Sequence, residues 1–503
     1  MSKSIIIIGA GIAGLSAGCY GQMNGYKTQI FELHDKPGGL CTAWKRKGYT
    51  FDGCIHWLVG SKAGSGMNHI WEELGATQDR QFVDHEIYQR VEGTNGQAFI
   101  IYTNVDQLEQ HMKELAPADG DVIEEFCNGV RRLTPLGEMM GDMNGPSGLL
   151  GKIKAGTKML PLLGTMRKYG KISVQAFATR FRNPFLRRSF AAAFDMPDFP
   201  IVAVMMMLAW MQTRDAGYPI GGSLEFSRAI ERRYLDLGGE IHYKSRVAKI
   251  IVEDDRAVGI RLTDGSEHYA DVVVSAADGH ATIFDMLEGK YLSDKVRGYY
   301  EELPIFRSWV QVSLGVARDL SDEPPMVSYP LNEPITTGGE EHKRLGFRHF
   351  SFDPTMAPPG RSAIVVMYTA DYDYWKELYQ ESERYDAEKK DLAVQVISRL
   401  EKRLPGISEQ IEVVDVSTPM TVERYTANWQ GSMEGWLVTT KTMSMMMGRG
   451  MDKTLPGLEN FYMIGQWVEP GGGLPPAATS GRSVIEMVCK RDKKEFQSSL
   501  PTP

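Results

Sequence analysis

Three glycines and one acid carry the first legible chemistry of this chain. Gly9, Gly11 and Gly14 stand in the run Gly9-Ala10-Gly11-Ile12-Ala13-Gly14, and Glu32 follows at the position where an acid is looked for, roughly 20 residues on. The first glycine allows a tight turn, the second leaves no side chain between backbone and a pyrophosphate, and the third permits close helix–strand packing. The helix that follows offers free N–H groups and a partial positive charge to phosphate oxygens. Glu32 can accept hydrogen bonds from both ribose hydroxyls and would repel a 2′-phosphate. The site is therefore suited to FAD or NAD(H) rather than NADP(H).

Those residues need a particular scaffold, and the flanking sequence supplies it. Ile5-Ile6-Ile7-Ile8 is short, β-branched and wholly apolar, which reads as a buried parallel strand. Leu15-Ser16-Ala17 starts the helix, and Thr28-Gln29-Ile30-Phe31 is a second strand that ends at Glu32. Strand, glycines, helix, strand and acid stand in register.

At 503 residues the chain has room for two or three domain-sized units. An apolar content of 42% and a charged content of 24% are those of a globular protein, and a net charge of -8 argues against a nucleic-acid surface. The five cysteines (Cys19, Cys41, Cys54, Cys127, Cys489) are scattered without a C-x-x-C pair, which favours a reducing compartment and gives no zinc or disulfide framework. The ten histidines show no ligand spacing, so no metal site is expected. The Ile5 run is too short for a signal sequence, and no apolar stretch is long enough to span a bilayer. A cytoplasmic location is the expectation.

Three further stretches extend the pattern. After Glu32 comes His34-Asp35-Lys36-Pro37-Gly38-Gly39-Leu40, and then Gly48-Tyr49-Thr50-Phe51-Asp52-Gly53-Cys54-Ile55-His56-Trp57, a strand running into a glycine turn. A helix beginning at Gly221-Gly222 is followed by several strands, through Val247 to Asp271-Val272-Val273-Val274-Ser275-Ala276. Near the end, Phe461 to Gly465 is an apolar strand. Gln466-Trp467-Val468-Glu469-Pro470-Gly471-Gly472-Gly473-Leu474-Pro475 then turns into a helix rich in small residues. Together these resemble the amine oxidase clan of flavoproteins, in its phytoene desaturase, retinol saturase and carotenoid isomerase branch.

The resemblance implies an α/β fold: a discontinuous Rossmann-like FAD-binding domain with an inserted α+β substrate domain. The boundaries it suggests are 1–75, 216–290 and 426–503 for the FAD domain, with 76–215 and 291–425 as substrate or lid domain. It implies FAD contacts from Gly9, Gly11, Ala13, Gly14 and Glu32, and from the doublet Gly38-Gly39 with Leu40. Gly53, Ile55 and His56 are implied to pass beside the flavin ring. Val247 would meet the adenine through its backbone, and Ser275 and Ala276 would abut the cofactor. Gly465, Gln466, Gly472, Gly473 and Leu474 would face the flavin pyrimidine ring. There, N–H groups of the helix start could stabilise reduced flavin. Ile55-His56-Trp57 and Gly465-Gln466 match the saturase form. Trp467 departs from the family pattern, where a small or acidic residue is expected, and Glu469 departs from the desaturase-like His before Pro-Gly-Gly-Gly.

In the inserted regions, Phe82 to Tyr102 reads as a hairpin turning at Gly93–Gly96, and Leu108 to Leu136 has helical spacing. Trp309–Leu314, Gly346–Phe350 and Ala363–Tyr368 read as strands of one antiparallel sheet, and Ala387–Leu404 as a helix. Residues 149–171 mix Lys152, Lys154, Lys158, Arg167, Lys168 and Lys171 with large apolar residues and no acid. Such a segment suits an anionic membrane surface, or equally an amphipathic lid helix with a solvated basic face. The clusters Met205-Met206-Met207, Trp210-Met211 and Met443 to Met447 suit ordinary core or the lining of a tunnel for a long apolar ligand.

The expected activity is FAD-dependent redox chemistry at carbon–carbon double bonds of a long hydrophobic polyene or isoprenoid lipid: saturation or isomerisation, with desaturation the reverse direction. Flavin does the redox chemistry and the protein supplies position and electrostatics. His56 and Glu469 are the candidates for handling the partner proton, with a packing role and a helix-start role as their alternatives. Cys54 and Cys41 are candidate covalent flavin anchors, and Tyr425, Trp429 and Trp436 candidate walls. The electron donor or acceptor is left open. A flavin amine oxidase is the competing enzyme reading, and a prenyl- or lipid-binding protein of the same fold the non-catalytic one.

Overall fold

The computed structural model of the chain describes residues 2–137, 162–194, 196–443 and 451–501. Its first sheet has five parallel strands in the spatial order Glu240–His242, Lys27–Phe31, Ser4–Ile8, Val272–Ser275 and Phe461–Met463. Three distant stretches of sequence thus build one sheet. The isoleucine run has to be apolar throughout because both its faces are covered. Ile5 and Ile7 lie in a core with helices Ile12–Met23, Gly222–Asp236 and Leu474–Arg491, while Ile6 and Ile8 face a core shared with strands Val247–Glu253 and Arg256–Leu262.

Glycines set how closely these layers approach. A Cβ at Gly14 would overlap the carbonyl oxygen of Gly9, and one at Gly481 would overlap that of Ala13. The first and last helices therefore touch backbone to backbone, and Ser16 Oγ donates to the Ala478 carbonyl at 2.7 Å. Beside them a buried ion pair joins three elements. Arg482 Nη1 donates to Glu73 Oε2 at 2.9 Å, and the Tyr20 hydroxyl donates to the same oxygen at 2.5 Å.

The second sheet has seven strands in the order Ile411–Ser417, Ser308–Val316, Ser362–Ala370, Glu340–His349, Met326–Thr337, Ile87–Glu92 and Ala98–Tyr102. All its neighbours are antiparallel except Met326–Thr337 against Ile87–Glu92. The three strands read from alternation lie in this sheet, and so does the hairpin from Ile87 on, while its expected start at Phe82–Val83 pairs instead with Ala216–Pro219. Helix Ser382–Arg403 packs on it through Leu392, Val396 and Leu400.

A separate core is helical, formed by Val105–Leu115, Gly120–Leu133, Pro184–Phe194 and Ile201–Gln212 among others. Met205 and Met207 are packed inside it, as ordinary core. Met445, Met446 and Met447 fall outside the described residues, as does the stretch 149–161 of the basic segment. In the part of that segment that follows, Leu162, Thr165 and Tyr169 are buried while Arg167 and Lys168 are exposed. Lys168 pairs with Glu125 at 2.9 Å. That portion has its apolar face on the helical core and its basic face outward. Among the described residues no helix is long and apolar enough to cross a membrane.

Candidate functional site

The dinucleotide turn is built as a cradle. Gly9 turns with φ +97° and its N–H donates to the Phe31 carbonyl at 2.8 Å, tying the turn to the second strand. A Cβ at Gly11 would meet nothing nearer than the Gly38 carbonyl oxygen at 4.0 Å, so the space before this glycine is open. Gly38 donates to the Ala10 carbonyl at 2.9 Å, and Gly39 lies against Gly11. The Gly38-Gly39 doublet is thus brought onto the first glycine turn, with Leu40 directly after it. Helix Ile12–Met23 has Gly11 as its N-cap, no side-chain cap and no acid in its first turn, which leaves its N–H groups available for an anion.

Glu32 is buried at the strand end. Its two oxygens accept from Ala10 N at 2.6 Å and His34 N at 2.7 Å, and burial raises its pKa despite those bonds. Each oxygen keeps a further lone pair for a ribose hydroxyl. The Glu32 carbonyl accepts from Ser245 N at 2.8 Å, which brings Val247 into the core beside Phe31. Ser275 is tied to the last strand, its carbonyl accepting from Ile464 N at 2.9 Å, and Ala276 N donates back to Ile8. The residues foreseen at the nucleotide end therefore converge, although they come from four stretches of sequence.

The other end is assembled around Asp52. This buried carboxylate accepts from Ser223 N at 2.7 Å, Ser223 Oγ at 2.6 Å and Cys54 N at 2.8 Å. Ile55 N in turn donates to Ser223 Oγ at 2.8 Å. The turn Gly53-Cys54-Ile55-His56 is pinned to the start of helix Gly222–Asp236, and Gly53 packs under Trp44. Burial and the positive charge of Arg348 hold the His56 imidazole well below its ordinary pKa, so the ring is neutral at pH 7. The Cys54 thiol is pushed well up, by its contact with Cys41 and by burial, which leaves it unreactive.

Helix Leu474–Arg491 begins at Gly473, again with no side-chain cap and no acid in its first turn. Gly465 N donates to Ser480 Oγ at 3.1 Å, fixing the turn to the helix, and Gln466 Nε2 donates to Asn428 Oδ1 at 3.0 Å. Trp467 is buried among Trp429, Trp436 and Tyr300. Trp429 and Trp436 thus belong to an aromatic cluster, and Tyr425 leans on His34. Glu469 pairs with Lys453, and its N–H donates to Gly465 O at 3.0 Å.

The acid that meets the glycine turn is one the sequence did not single out. The Glu434 carboxylate stands where a Cβ at Gly472 would be, and its charge also reaches Cys54. The residue is half-buried, its carboxyl is walled by protein, and burial alone pushes its pKa up to about 7. Its only signal was one acid in Trp429-Gln430-Gly431-Ser432-Met433-Glu434-Gly435-Trp436.

A narrow cavity, open to solvent on one side, begins at His56. Trp57, Tyr88, Met211, Tyr218, Phe350 and Phe352 line it, with the polar groups Asp84, His85, Thr103, Arg348 and His349. Aromatic side chains with a few polar groups among them are the lining of a small-molecule site. Arg348 and His85 also went unnoticed in the sequence, because strand alternation does not say what a strand end faces. Among the described residues no cluster of His, Cys, Asp or Glu could hold a metal ion.

The profile of the flavin containing amine oxidoreductases matches residues 12–484. Prolycopene isomerase of Arabidopsis thaliana is 25% identical over 489 residues, which is 95% of this chain and 81% of that protein. A neurosporene-forming phytoene desaturase of Rhodobacter capsulatus is 26% identical over 519 residues, covering 97% and 94%. Among solved structures, an oxidoreductase from Methanosarcina mazei superposes with a TM-score of 0.60 at 19% identity, covering 96% of this chain and 100% of that one.

Proposed function

The chain belongs to the flavin containing amine oxidoreductase family; it is an FAD-dependent oxidoreductase, and we propose that it acts on carbon–carbon double bonds of a long hydrophobic polyene or isoprenoid lipid. The aromatic cavity at His56 carries this reading. An apolar, π-rich lining favours a polyene over a compact amine, and the cavity's fixed cation, Arg348, would repel an ammonium group. Relatives named as a prolycopene isomerase and a phytoene desaturase support the substrate class. Saturation or isomerisation is the direction we favour, on Ile55-His56-Trp57 and Gly465-Gln466.

Bound in the cradle, FAD would supply two-electron hydride chemistry. Gly9, Gly11, Ala13 and Gly14 would hold the pyrophosphate at the helix start, and Glu32 the ribose. Gly465, Gln466 and the Gly472-Gly473-Leu474 helix start would favour negative charge on the pyrimidine side. His56, neutral and fixed through Ile55 and Ser223, is the proton-handling group we place at the substrate. Glu469 is the less favoured partner, because Lys453 already engages its carboxylate.

The test is anaerobic incubation of the FAD-loaded protein, oxidised or reduced, with a panel of carotenoids and shorter polyenes, followed by absorbance and chromatography. A shifted chromophore with one substrate class is expected. An unchanged polyene panel together with hydrogen peroxide release from amines would overturn the reading. We also place a membrane contact on the basic segment. Flotation with anionic vesicles should be lost when Lys152, Lys154 and Lys158 become Glu, and unchanged flotation would remove that contact.

A further inference from the structure

We propose that Arg348 is an anion-binding residue of the substrate cavity, and that the substrate carries a carboxylate at the end that enters beside His56. This rests on the polyene reading above and narrows it to a polyene acid.

Arg348 lines the cavity near the end of strand Glu340–His349. Its guanidinium lies over the Tyr88 ring, 5.8 Å from the centroid. Among the described residues no carboxylate pairs with it. Arginines around this sheet are engaged: Arg403, at the end of the helix packed on it, bonds both Glu92 and Glu323, and Arg307, just before strand Ser308–Val316, pairs with Glu340. The one carboxylate that lines the same cavity, Asp84, sits against Gly217, and the positive charge it feels is that of Arg214. Arg348 thus faces an aromatic cavity with its charge uncompensated.

Two histidines of the cavity are buried under the influence of that charge. It disfavours protonation of both His56 and His85, and His85 is driven to about 4. The two rings stay neutral, so each can donate one hydrogen bond while the cavity keeps a single positive charge. His349 is spoken for, bonding Ser351 Oγ and the Glu323 carbonyl. One guanidinium fork with neutral donors beside it matches one planar carboxylate. A diphosphate would call for several cations, and a hydrocarbon end would leave the guanidinium buried and unpaired.

The experiment measures binding, by quenching of tryptophan fluorescence in the FAD-loaded protein. The probes are all-trans retinoic acid, its methyl ester, retinol, and geranylgeranyl diphosphate. Wild type should bind the acid about 10-fold or more tighter than the ester or alcohol, the range of one charge-assisted hydrogen-bonded pair. Arg348→Met should abolish that preference and leave ester binding unchanged, and Arg348→Lys should keep part of it. FAD content and melting temperature verify that the variants fold. Equal binding of acid and ester by wild type, or equal loss of both in Arg348→Met, would overturn the proposal while leaving the polyene reading intact. A preference for the diphosphate would overturn it too. If no uncharged polyene is bound or converted either, the underlying reading fails.

Discussion

Glu434 and Gly472 occupy one another's space: the carboxylate fills the position that a side chain at residue 472 would take. A raised acid therefore stands against the glycine turn that opens the last helix. Burial raises the folded-state pKa to about 7 from an unfolded value near 4.5. Between those values the folded protein holds a proton that the unfolded chain has released. Stability from this group is full at low pH, declines as pH rises through that window, and is flat above about 7. Glu434→Gln should flatten that part of the pH–stability curve. In the FAD-loaded protein it should also remove a transition near pH 7 in the visible flavin spectrum. A titration that is the same in both proteins would exclude Glu434 from the flavin's surroundings.

Gly11 and Gly14 should fail in different ways. A Cβ at 11 enters open space, whereas one at 14 overlaps the Gly9 backbone. Gly11→Ala should keep its melting temperature without added cofactor and lose FAD, read as a lower ratio of 450 to 280 nm absorbance. Gly14→Ala should lower the melting temperature itself.

The Glu73–Arg482 pair is buried, with side chains 2% and 13% exposed. Arg482→Met would leave the Glu73 charge without its cation and should cost about 3–5 kcal/mol in urea unfolding. Replacing both partners together, as Glu73→Gln with Arg482→Met, should cost less than the single change.

His56 and His85 have lowered pKa values, so they are uncharged when folded and become protonated more readily when unfolded. Their effect on stability is a loss as pH falls below about 6.5, continuing for His85 to about 4. His85→Gln should recover part of that loss. His56→Gln should do the same and also lower turnover by about 10²-fold or more if the ring moves a proton. A drop of only a few-fold, with FAD content retained, would assign His56 to packing.

The nucleotide half of this protein was legible in the chain before any fold was known. Chain-local pattern sufficed there, because one β-branched run, three glycines at fixed spacing and an acid at a strand end each answer to a local requirement of the backbone. The hairpin at Gly93–Gly96 and three further strands of the second sheet were legible for the same reason, since alternation is a property of the strand alone, whereas Met326–Thr337 and Ile411–Ser417 were not read. The rest follows from how distant segments pack together. Nothing between Trp429 and Trp436 says that Glu434 will meet a glycine turn some forty residues later, or that Asp52 will bind Ser223. Nor does Gly346-Phe347-Arg348-His349 say which face of its strand opens on a cavity, and with it which charge the substrate meets. Desolvation and long-range charge set those groups' chemistry, and both depend on what the fold packs around a residue rather than on its neighbours in the chain.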